Sequence, residues 1–555
     1  MATYSDLAEL LFPDITKTIE DLEKEYPARD LPEGAEVTRF APSPTGFLHT
    51  GSLFTSMIAY TIAKETRGVY MFRLEDTDTK RTIPGSAKDL ITQLKVFGIE
   101  ADEGYFPEGD KGNYGPYQQS VRKDIYRTVI KRLVAEGKAY PDFCTTEDLE
   151  KIRAFQEANK ILPGYYGAYA RDRNLTVDEQ IANIKAGKPW VIRFRSNGDH
   201  DSKTSFVDEI RGKIELQEND VDIVILKSDG LPTYHFAHVV DDHFMHTTIV
   251  TRGEEWIPST PIHLELFAAL GWKTPKYAHL PVIMKLDHGN KRKLSKRKDA
   301  EAAVSFFLKE GFPPQGVLVY LMSIANSNFE EWSIENNSLD ISKFTFSLSK
   351  MSLDGALFDE NKLIYFCKEV LAKIPAKDLL GPVTEWAKEY QPALYEKIEA
   401  NPSYFEKILG IEKDRPNPRK DYGKFSDIEA LTRFFFKDGY EEIVSNGYPF
   451  NEKHSKEFLS SFCEELASNM LFGVDESTWW NSVKEIASKN NFAVNNKEYK
   501  ANPEAFRGNV ADAAEILRIA LTGGKMSPNM HEIIEILGKE EVIRRLKEVS
   551  ANLSK

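Results

Sequence analysis

Cysteine is nearly missing. The 555 residues hold three, Cys144, Cys367 and Cys463, and these lie far apart. An odd, scattered set forms no disulfide framework and offers no paired metal-ligand spacing. Structural zinc is therefore not expected, and a reducing cytoplasm is. No apolar run approaches the roughly 18–20 residues that span a bilayer, so no membrane partner is expected. The segment Met1–Glu36 lacks the apolar stretch of a secretory signal and reads as one or two short acidic helices. Positive charge is not in excess either: 72 Lys and Arg face 86 Asp and Glu, for a net −14. Bulk electrostatics does not draw in nucleic acid, so an RNA partner would need a restricted basic surface. Internal repeats and low-complexity segments are absent from the sequence.

What the chain does have is length and patterning. At 41% apolar and 28% charged, it can build two or more domains with real cores. Glu36–Ala41 reads as a short strand ending in a Pro/Gly turn. Leu53, Met57, Tyr60 and Ala63 fall at helical spacing in a run that Gly68 stops. Val69–Leu74 follows as a buried strand, with Glu75–Asp78 just past its end. This strand–loop–helix–strand unit predicts a doubly wound α/β fold, with ligands beyond the carboxyl ends of the strands. Residues 122–220 interrupt the pattern and read as an insertion, containing the turn Pro163–Gly167 and the strand Trp190–Arg195. Strands are expected to resume at Val221–Leu226, before the tight turn Ser228–Pro232, and at Thr247–Thr251. From about Phe358 the pattern is almost wholly helical, and amphipathic runs such as Ser455–Met470 and Val510–Leu521 mark a second, all-α domain.

Two stretches carry chemistry. The first is Arg39-Phe-Ala-Pro-Ser-Pro-Thr-Gly-Phe-Leu-His-Thr-Gly-Ser52. Pro42 and Pro44 stiffen the loop, and Thr45-Gly46 allows a close turn. His49 and Gly51 open a helix expected to begin near Ser52, whose N-terminus offers unpaired N–H groups and partial positive charge to a phosphate. His49 can donate to phosphate oxygens. Alone, His-x-Gly is weak, because a histidine at a helix start is more often a cap or a packed side chain. The second stretch is the basic run Lys291–Lys298, six cations in eight residues, with Lys293-Leu-Ser-Lys-Arg297 at its centre. Lys293 and Lys296, three apart in a loop, can both reach a triphosphate and stabilise charge building on its leaving oxygens.

Together the two stretches resemble the paired nucleotide-handling motifs of class I aminoacyl-tRNA synthetases. The Arg-x-Ala-Pro-Ser-Pro-Thr-Gly lead narrows the resemblance to the bacterial-type glutamyl-tRNA synthetase family. Phe72-Arg-Leu-Glu-Asp-Thr-Asp78 with Arg81, and Pro232–His243 leading to Arg252-Gly-Glu-Glu-Trp256, are similar to two further family blocks. Leu517–Gly538 is similar to the family's closing segment. Thr50 and Ser52 stand where many class I enzymes carry Ile and His. The resemblance spans roughly residues 37–555, strongly to about 300; the acidic leader is outside the usual pattern.

The resemblance implies an α/β, Rossmann-type parallel-sheet catalytic domain with an inserted acceptor-binding domain, then an all-α anticodon-binding domain. The expected divisions are a helical leader at 1–35, catalytic halves at 36–121 and 221–290, the insertion at 122–220, the second-motif loop with a stem-contact region at 291–375, and the anticodon domain at 376–555. It implies that His49, Lys293 and Lys296 are catalytic, with Lys296 the leading phosphate group. Thr45, His49, Gly51, Ser52, Glu255 and Lys296 would bind ATP. Arg39, Tyr234 and Arg252 would take the substrate's side-chain carboxylate, bidentate pairing being what arginine offers. Ser43 and Glu75 would take its amino end. His238 sits where some members carry Asn as an α-carboxylate contact. Trp256 is a candidate stacking surface for adenine or for the terminal nucleotide of the RNA. Mg²⁺ would travel with ATP, held mainly by phosphates and water. His235, His238, His243 and His246 lack a cysteine partner and are not taken as metal ligands.

The implied reaction joins L-glutamate to the 3′-terminal ribose of tRNA(Glu) through a glutamyl adenylate, with tRNA needed for the first step. A cytoplasmic monomer is expected. The rivals are glutaminyl-tRNA synthetase, an enzyme that attaches glutamate to a tRNA base, and a catalytically silent RNA-binding paralogue. The first usually reads Pro-Glu-Pro-Asn-Gly in its first motif and ends in β-barrels. The second lacks a long C-terminal domain, and the third would have lost His49, Lys296 or the arginines. Arg415, Arg419 and Lys420 could approach an anticodon, or simply belong to a solvated loop.

Overall fold

The computed structural model describes residues 2–295 and 297–554, so Lys296 lies outside the described residues. The chain divides into two units. One runs to Phe306 and takes back Leu318–Asp359; the other is Phe307–Val317 with Glu360 onward.

In the first unit the leader forms α1 (Tyr4–Leu11) and α2 (Ile19–Glu25). Thr3 with Asp6, and Thr18 with Asp21, build capping boxes that satisfy the first amides of each helix. Leu7, Ala8, Leu11 and Phe12 are buried in the same core as Ile125, Tyr126 and Val129 of the later helix Lys123–Ala135. Each such aliphatic side chain contributes about 1.5–3 kcal/mol when fully buried. The leader is thus part of the first unit's core, and Arg127 fastens it with two 2.6 Å bonds to Asp14.

The sheet follows. β1 (Val37–Phe40), α3 (Thr50–Glu65) and β2 (Val69–Phe72) form the expected unit, with β1 and β2 parallel from Val37↔Val69 to Phe40↔Phe72. After α4 (Ser86–Val96), β3 (Glu103–Gly104) extends the sheet beyond β2 in parallel. α5 (Lys123–Ala135) then leads to β4 (Ala139–Asp142), α6 (Thr146–Ala158), α7 (Val177–Lys185) and β5 (Val191–Phe194). β6 (Lys203–Asp208) and β7 (Gly212–Gln217) form an antiparallel hairpin. β8 (Val224–Leu226) pairs with β5 in a small antiparallel sheet with β4, rather than reopening the parallel sheet as its apolar run suggests. α8 (Tyr234–Phe244), β9 (Ile249–Gly253), α9 (Thr260–Leu270) and β10 (Lys276–Leu280) complete the parallel arrangement.

β6, although it lies within the span read as an insertion, meets β10 in parallel at Tyr277↔Asp208. Thr248 N–H donates to the Val37 carbonyl at 3.0 Å and sets the start of β9 against β1. The strands therefore run β3, β2, β1, then β9, β10, β6. Connections leave β1 and β9 toward opposite sides, which places the topological switch point between them and a crevice at their carboxyl ends. The hairpin of β11 (Ile283–Asp287) and β12 (Asn290–Lys293) brings the second motif to this region.

In the second unit, helices such as Lys456–Asn469, Glu476–Lys489, Val510–Thr522 and Lys539–Leu553 enclose one core, containing Phe462, Leu466, Val483, Ile516, Leu517, Val542 and Leu546. The amphipathic spacing read from sequence is the cause: each helix buries one apolar stripe against its neighbours. No helix of the described residues is long and apolar enough to cross a membrane.

Candidate active site

The crevice holds a cavity of about 500 Å³. Arg39 lies one residue before the end of β1, and the loop beyond it supplies Ser43 and Thr45. The start of α3 supplies His49, Gly51 and Ser52, and Glu75 comes from just past β2. Tyr234 opens α8; Arg252, Glu255 and Trp256 follow one another out of β9; Lys293 closes β12. Residues separated by more than two hundred positions thus face one space. The Thr45-Gly46 turn is made by glycine's freedom, with Gly46 at φ +148°.

One expected contact is placed elsewhere. His238 does not line the cavity and is completely buried. It sits one helical turn deeper than Tyr234, its ring stacked 5.9 Å from that ring. Its Nδ1 lies 3.1 Å from Asp242 and 3.4 Å from Arg39, so it packs behind the wall. Lys296, expected to lead at the phosphates, is outside the described residues.

At the end where the first motif lies, α3 begins at Thr50 rather than near Ser52, because His49 is its N-cap. His49 Nδ1 accepts the Gly51 amide at 3.0 Å, and the His49 carbonyl takes the Ser52 amide at 2.8 Å. The first amides of the helix are therefore partly occupied rather than all open to an anion. The cap also fixes the imidazole: with Nδ1 accepting, a neutral ring carries its proton on Nε2, making that atom a donor. A Cβ on residue 51 would meet His49 Nδ1 at 3.3 Å, which explains the glycine there. Lys293 Nζ reaches Glu255 at 3.3 Å while both stay about half exposed, so this pair is weakly held. Arg292 grips Asp299 with bonds of 2.6 and 2.8 Å and so closes the base of the loop that carries Lys293.

At the other end lies a buried network of charge. Arg39 Nε and Arg73 Nη1 converge on one oxygen of Asp242, at 3.2 and 2.7 Å. Arg73 Nη2 also donates to Glu75 at 3.0 Å. Burial pushes the Glu75 carboxyl above its ordinary range, with Arg73 and Arg39 pulling the other way. Burial also raises the Tyr234 phenol, which keeps its hydroxyl a donor. Arg252, only 5% exposed, donates to His279 at 3.0 Å, His263 at 3.2 Å and Thr260 at 2.9 Å. No carboxylate of the described residues comes within ion-pair distance of it. A buried cation without a counter-ion and a desolvated carboxylate share one cavity, a pattern that suits a ligand carrying both signs. Trp256 packs on Tyr234 with centroids 4.6 Å apart.

Arg73, Asp242, Thr260, His263 and His279 are absent from the sequence expectations. The only signal for any of them is the position of Arg73 two residues before Glu75, and of Asp242 inside a family-like block. For metal ions, the described residues bring Asp142, Cys144 and Asp172 together. Arg193 pairs with Asp142 at 2.6 Å and Arg171 with Asp172 at 2.8 Å, while burial pushes the Cys144 thiol up to about 12. Already paired carboxylates and a protonated thiol make a poor donor set. In the active cavity Glu75 and Glu255 are likewise paired with cations, so the residues there fit a metal that arrives on phosphates.

In the second unit, Arg415 pairs with Glu532, Arg419 with Asp421 and Lys420 with Glu369. Arg419 also borders a cavity of about 830 Å³ with Trp480 and Arg518.

A parallel α/β sheet with its switch-point crevice, a histidine-capped helix and a lysine hairpin define a class I tRNA synthetase. A family model for "tRNA synthetases class I (E and Q), catalytic domain" matches residues 36–363, and one for "Anticodon binding domain" matches 385–550. The chain belongs to the E and Q family of class I tRNA synthetases. Among its relatives, a glutamate–tRNA ligase of Acetivibrio thermocellus is 45% identical over 98% of this chain and 99% of its own length. A glutamate–tRNA ligase of Clostridium perfringens is 43% identical over 99% of this chain and 100% of its own. The crystal structure of a glutamate tRNA ligase from Elizabethkingia meningosepticum, in complex with its amino acid, superposes with a TM-score of 0.73 at 29% identity, covering 94% of this chain and 100% of that one.

Proposed function

We propose that this protein is a glutamate–tRNA ligase. An oxygen of the α-carboxylate of L-glutamate attacks the α-phosphorus of ATP, and pyrophosphate leaves. The 3′-terminal ribose hydroxyl of tRNA(Glu) then attacks the acyl carbonyl, and AMP leaves. No side chain need act as acid or base; positioning and charge do the work. His49 Nε2–H, Lys293 and Lys296 serve the phosphates, with Thr45, Gly51, Ser52 and Glu255 around the nucleotide. Mg²⁺ enters with ATP. Arg39, Tyr234 and Arg252 hold the side-chain carboxylate, while Ser43 and Glu75 hold the ammonium. Trp256 stacks on adenine or on the RNA's last base. Residues 122–220 serve as the acceptor-binding insertion, with β6 and β7 also extending the catalytic sheet, and the helical unit takes the anticodon. The enzyme acts in the cytoplasm as a monomer.

The observation that carries this reading is Arg252: buried at the cavity wall, charged, and held by neutral acceptors alone. A neutral glutamine side chain would leave that charge unpaired, which costs several kcal/mol. The test is aminoacylation of purified tRNA isoacceptors, one at a time, with labelled glutamate or glutamine. Glutamate alone should be transferred; equal transfer of glutamine refutes the assignment. Whether the tRNA for glutamine is also charged with glutamate is read from the same experiment.

A further inference from the structure

Behind Arg252 lies a second layer that neither sequence motif contains. Arg252 Nε donates to His279 Nε2 at 3.0 Å. An arginine can only donate, so Nε2 is the acceptor and the neutral ring of His279 carries its proton on Nδ1. That nitrogen lies 2.7 Å from Asp208 Oδ2. Asp208 is fixed in turn: Oδ2 also accepts the His279 amide at 3.0 Å, and Oδ1 accepts the Ile210 and Arg211 amides at 3.0 Å each. On the other side of the guanidinium, His263 Nδ1 accepts from Nη1 at 3.2 Å. Its Nε2 proton then faces His235 Nδ1 at 3.0 Å. Each tautomer follows from the one before it.

The other groups facing this layer are Tyr277, whose ring lies 4.9 Å below the Arg252 guanidinium, His238, packed 4.4 Å from the His263 ring, and Tyr234, 6.1 Å from the same ring. Arg211, beyond the layer, donates to the His279 carbonyl and pairs with Glu254. Burial holds His263 and His279 below the ordinary imidazole range, and Arg252 adds to this, so both rings are neutral at pH 7. Arg39 and Arg73 stand in contrast, since both reach a carboxylate directly: they share Asp242, and Arg73 also pairs with Glu75.

We propose that His279 and Asp208 are positioning and specificity-determining residues: the neutral imidazole aims the Arg252 fork while keeping the Asp208 carboxylate one ring-width away, so that the charge is reserved for an anionic side chain. This rests on Arg252 receiving the substrate's side-chain carboxylate. A carboxylate in direct contact would pair with the fork bidentately and neutralise it. An apolar residue would leave Nε without an acceptor and let the fork turn. The imidazole avoids both, and Asp208 selects the tautomer that can accept.

Three variants test this in steady-state aminoacylation, with the KM for ATP and the thermal midpoint as controls for folding. His279→Glu brings a carboxylate against Arg252. It should raise the KM for glutamate roughly 100-fold, reduce the preference for glutamate over glutamine by a similar factor and leave the KM for ATP within about twofold. His279→Gln offers a neutral acceptor and should stay within about fivefold of wild type. Asp208→Asn lets the ring turn its proton toward Arg252 and should raise the KM for glutamate about 10-fold. If His279→Glu does not fold, a pH profile replaces it. The wild-type KM for glutamate should rise as pH falls, as His279 and Glu75 both take up protons, and this rise should shrink in His279→Gln to the part that Glu75 contributes. A glutamate KM within about threefold of wild type in both His279→Glu and Asp208→Asn, or identical pH profiles for wild type and His279→Gln, overturns the proposal. Arg252→Gln separates the two levels. If it too leaves the glutamate KM unchanged, the assignment of Arg252 itself is wrong; if it raises the KM while the others do not, only the role of His279 and Asp208 is wrong.

Discussion

Thr50 Oγ1 donates a 2.6 Å hydrogen bond to the backbone carbonyl of Glu301, tying the helix opened by the first motif to the chain just beyond the second. Val304 N–H adds a 3.1 Å bond to the Leu48 carbonyl beside it. Thr50 is fully buried, so Thr50→Val leaves that carbonyl without its donor and should cost about 1–2 kcal/mol. A lowered thermal midpoint and a reduced kcat with the glutamate KM unchanged are expected. A change confined to the glutamate KM would show that the bond does not link the motifs functionally.

Gly51→Ala places a methyl 3.3 Å from His49 Nδ1 and crowds the ring that caps α3. The ring must tilt by a few tenths of an ångström, which misdirects its donor. Aminoacylation kcat should fall roughly 10- to 100-fold, with a thermal midpoint close to wild type.

Glu75 must be ionised to pair with an ammonium, yet burial raises its pKa above the ordinary 4.5. Glutamate binding should therefore weaken as pH falls through that raised value, and bound glutamate should pull the value back down. Glu75→Gln should bind glutamate poorly at every pH and lose the Glu75 part of this dependence, keeping only what His279 contributes. Isothermal titration of glutamate at a series of pH values from neutral downward, in both proteins, checks both parts.

Stability has its own pH dependence, set by the histidines of the same unit. His235, His238, His263 and His279 all have lowered pKa values, with burial as the first cause. Unfolded, each titrates near 6.5. Below that pH the unfolded chain takes up protons that the folded chain refuses, so stability falls as pH drops from about 6.5 toward the depressed folded values. Glu75, with a raised value, works in the opposite sense only between its ordinary and shifted pKa. The thermal midpoint should be level above about pH 7 and decline below it. His235→Gln should shrink the slope by one proton, and a midpoint that rises on acidification contradicts the account of these rings.

Much of this was legible in the sequence because it is local. Helical spacing at Leu53, Met57, Tyr60 and Ala63 marks α3, and the apolar run Val69–Phe72 marks β2. Turn residues place Ser43, Thr45 and Gly51 beyond a strand end, where the cavity is. What sequence spacing misplaced was decided by tertiary partners. The start of α3 moved to Thr50 because His49 caps it. Val224–Leu226 is apolar enough for the main sheet but finds β5. His238 shares the helical face of Tyr234, and only depth separates a ring at the wall from one behind it. Asp208, His263 and His279 come from three segments without any common motif, and nothing local announces that they converge on Arg252.

The most direct test of the central claim is the ratio of kcat/KM for glutamate to that for glutamine in wild type and in Arg252→Gln, measured with tRNA(Glu). Removing the uncompensated buried cation should lower the ratio by roughly a thousandfold or more, through loss of glutamate rather than gain of a general defect in ATP use. A ratio unchanged by the substitution would contradict the claim that this arginine selects the acidic substrate.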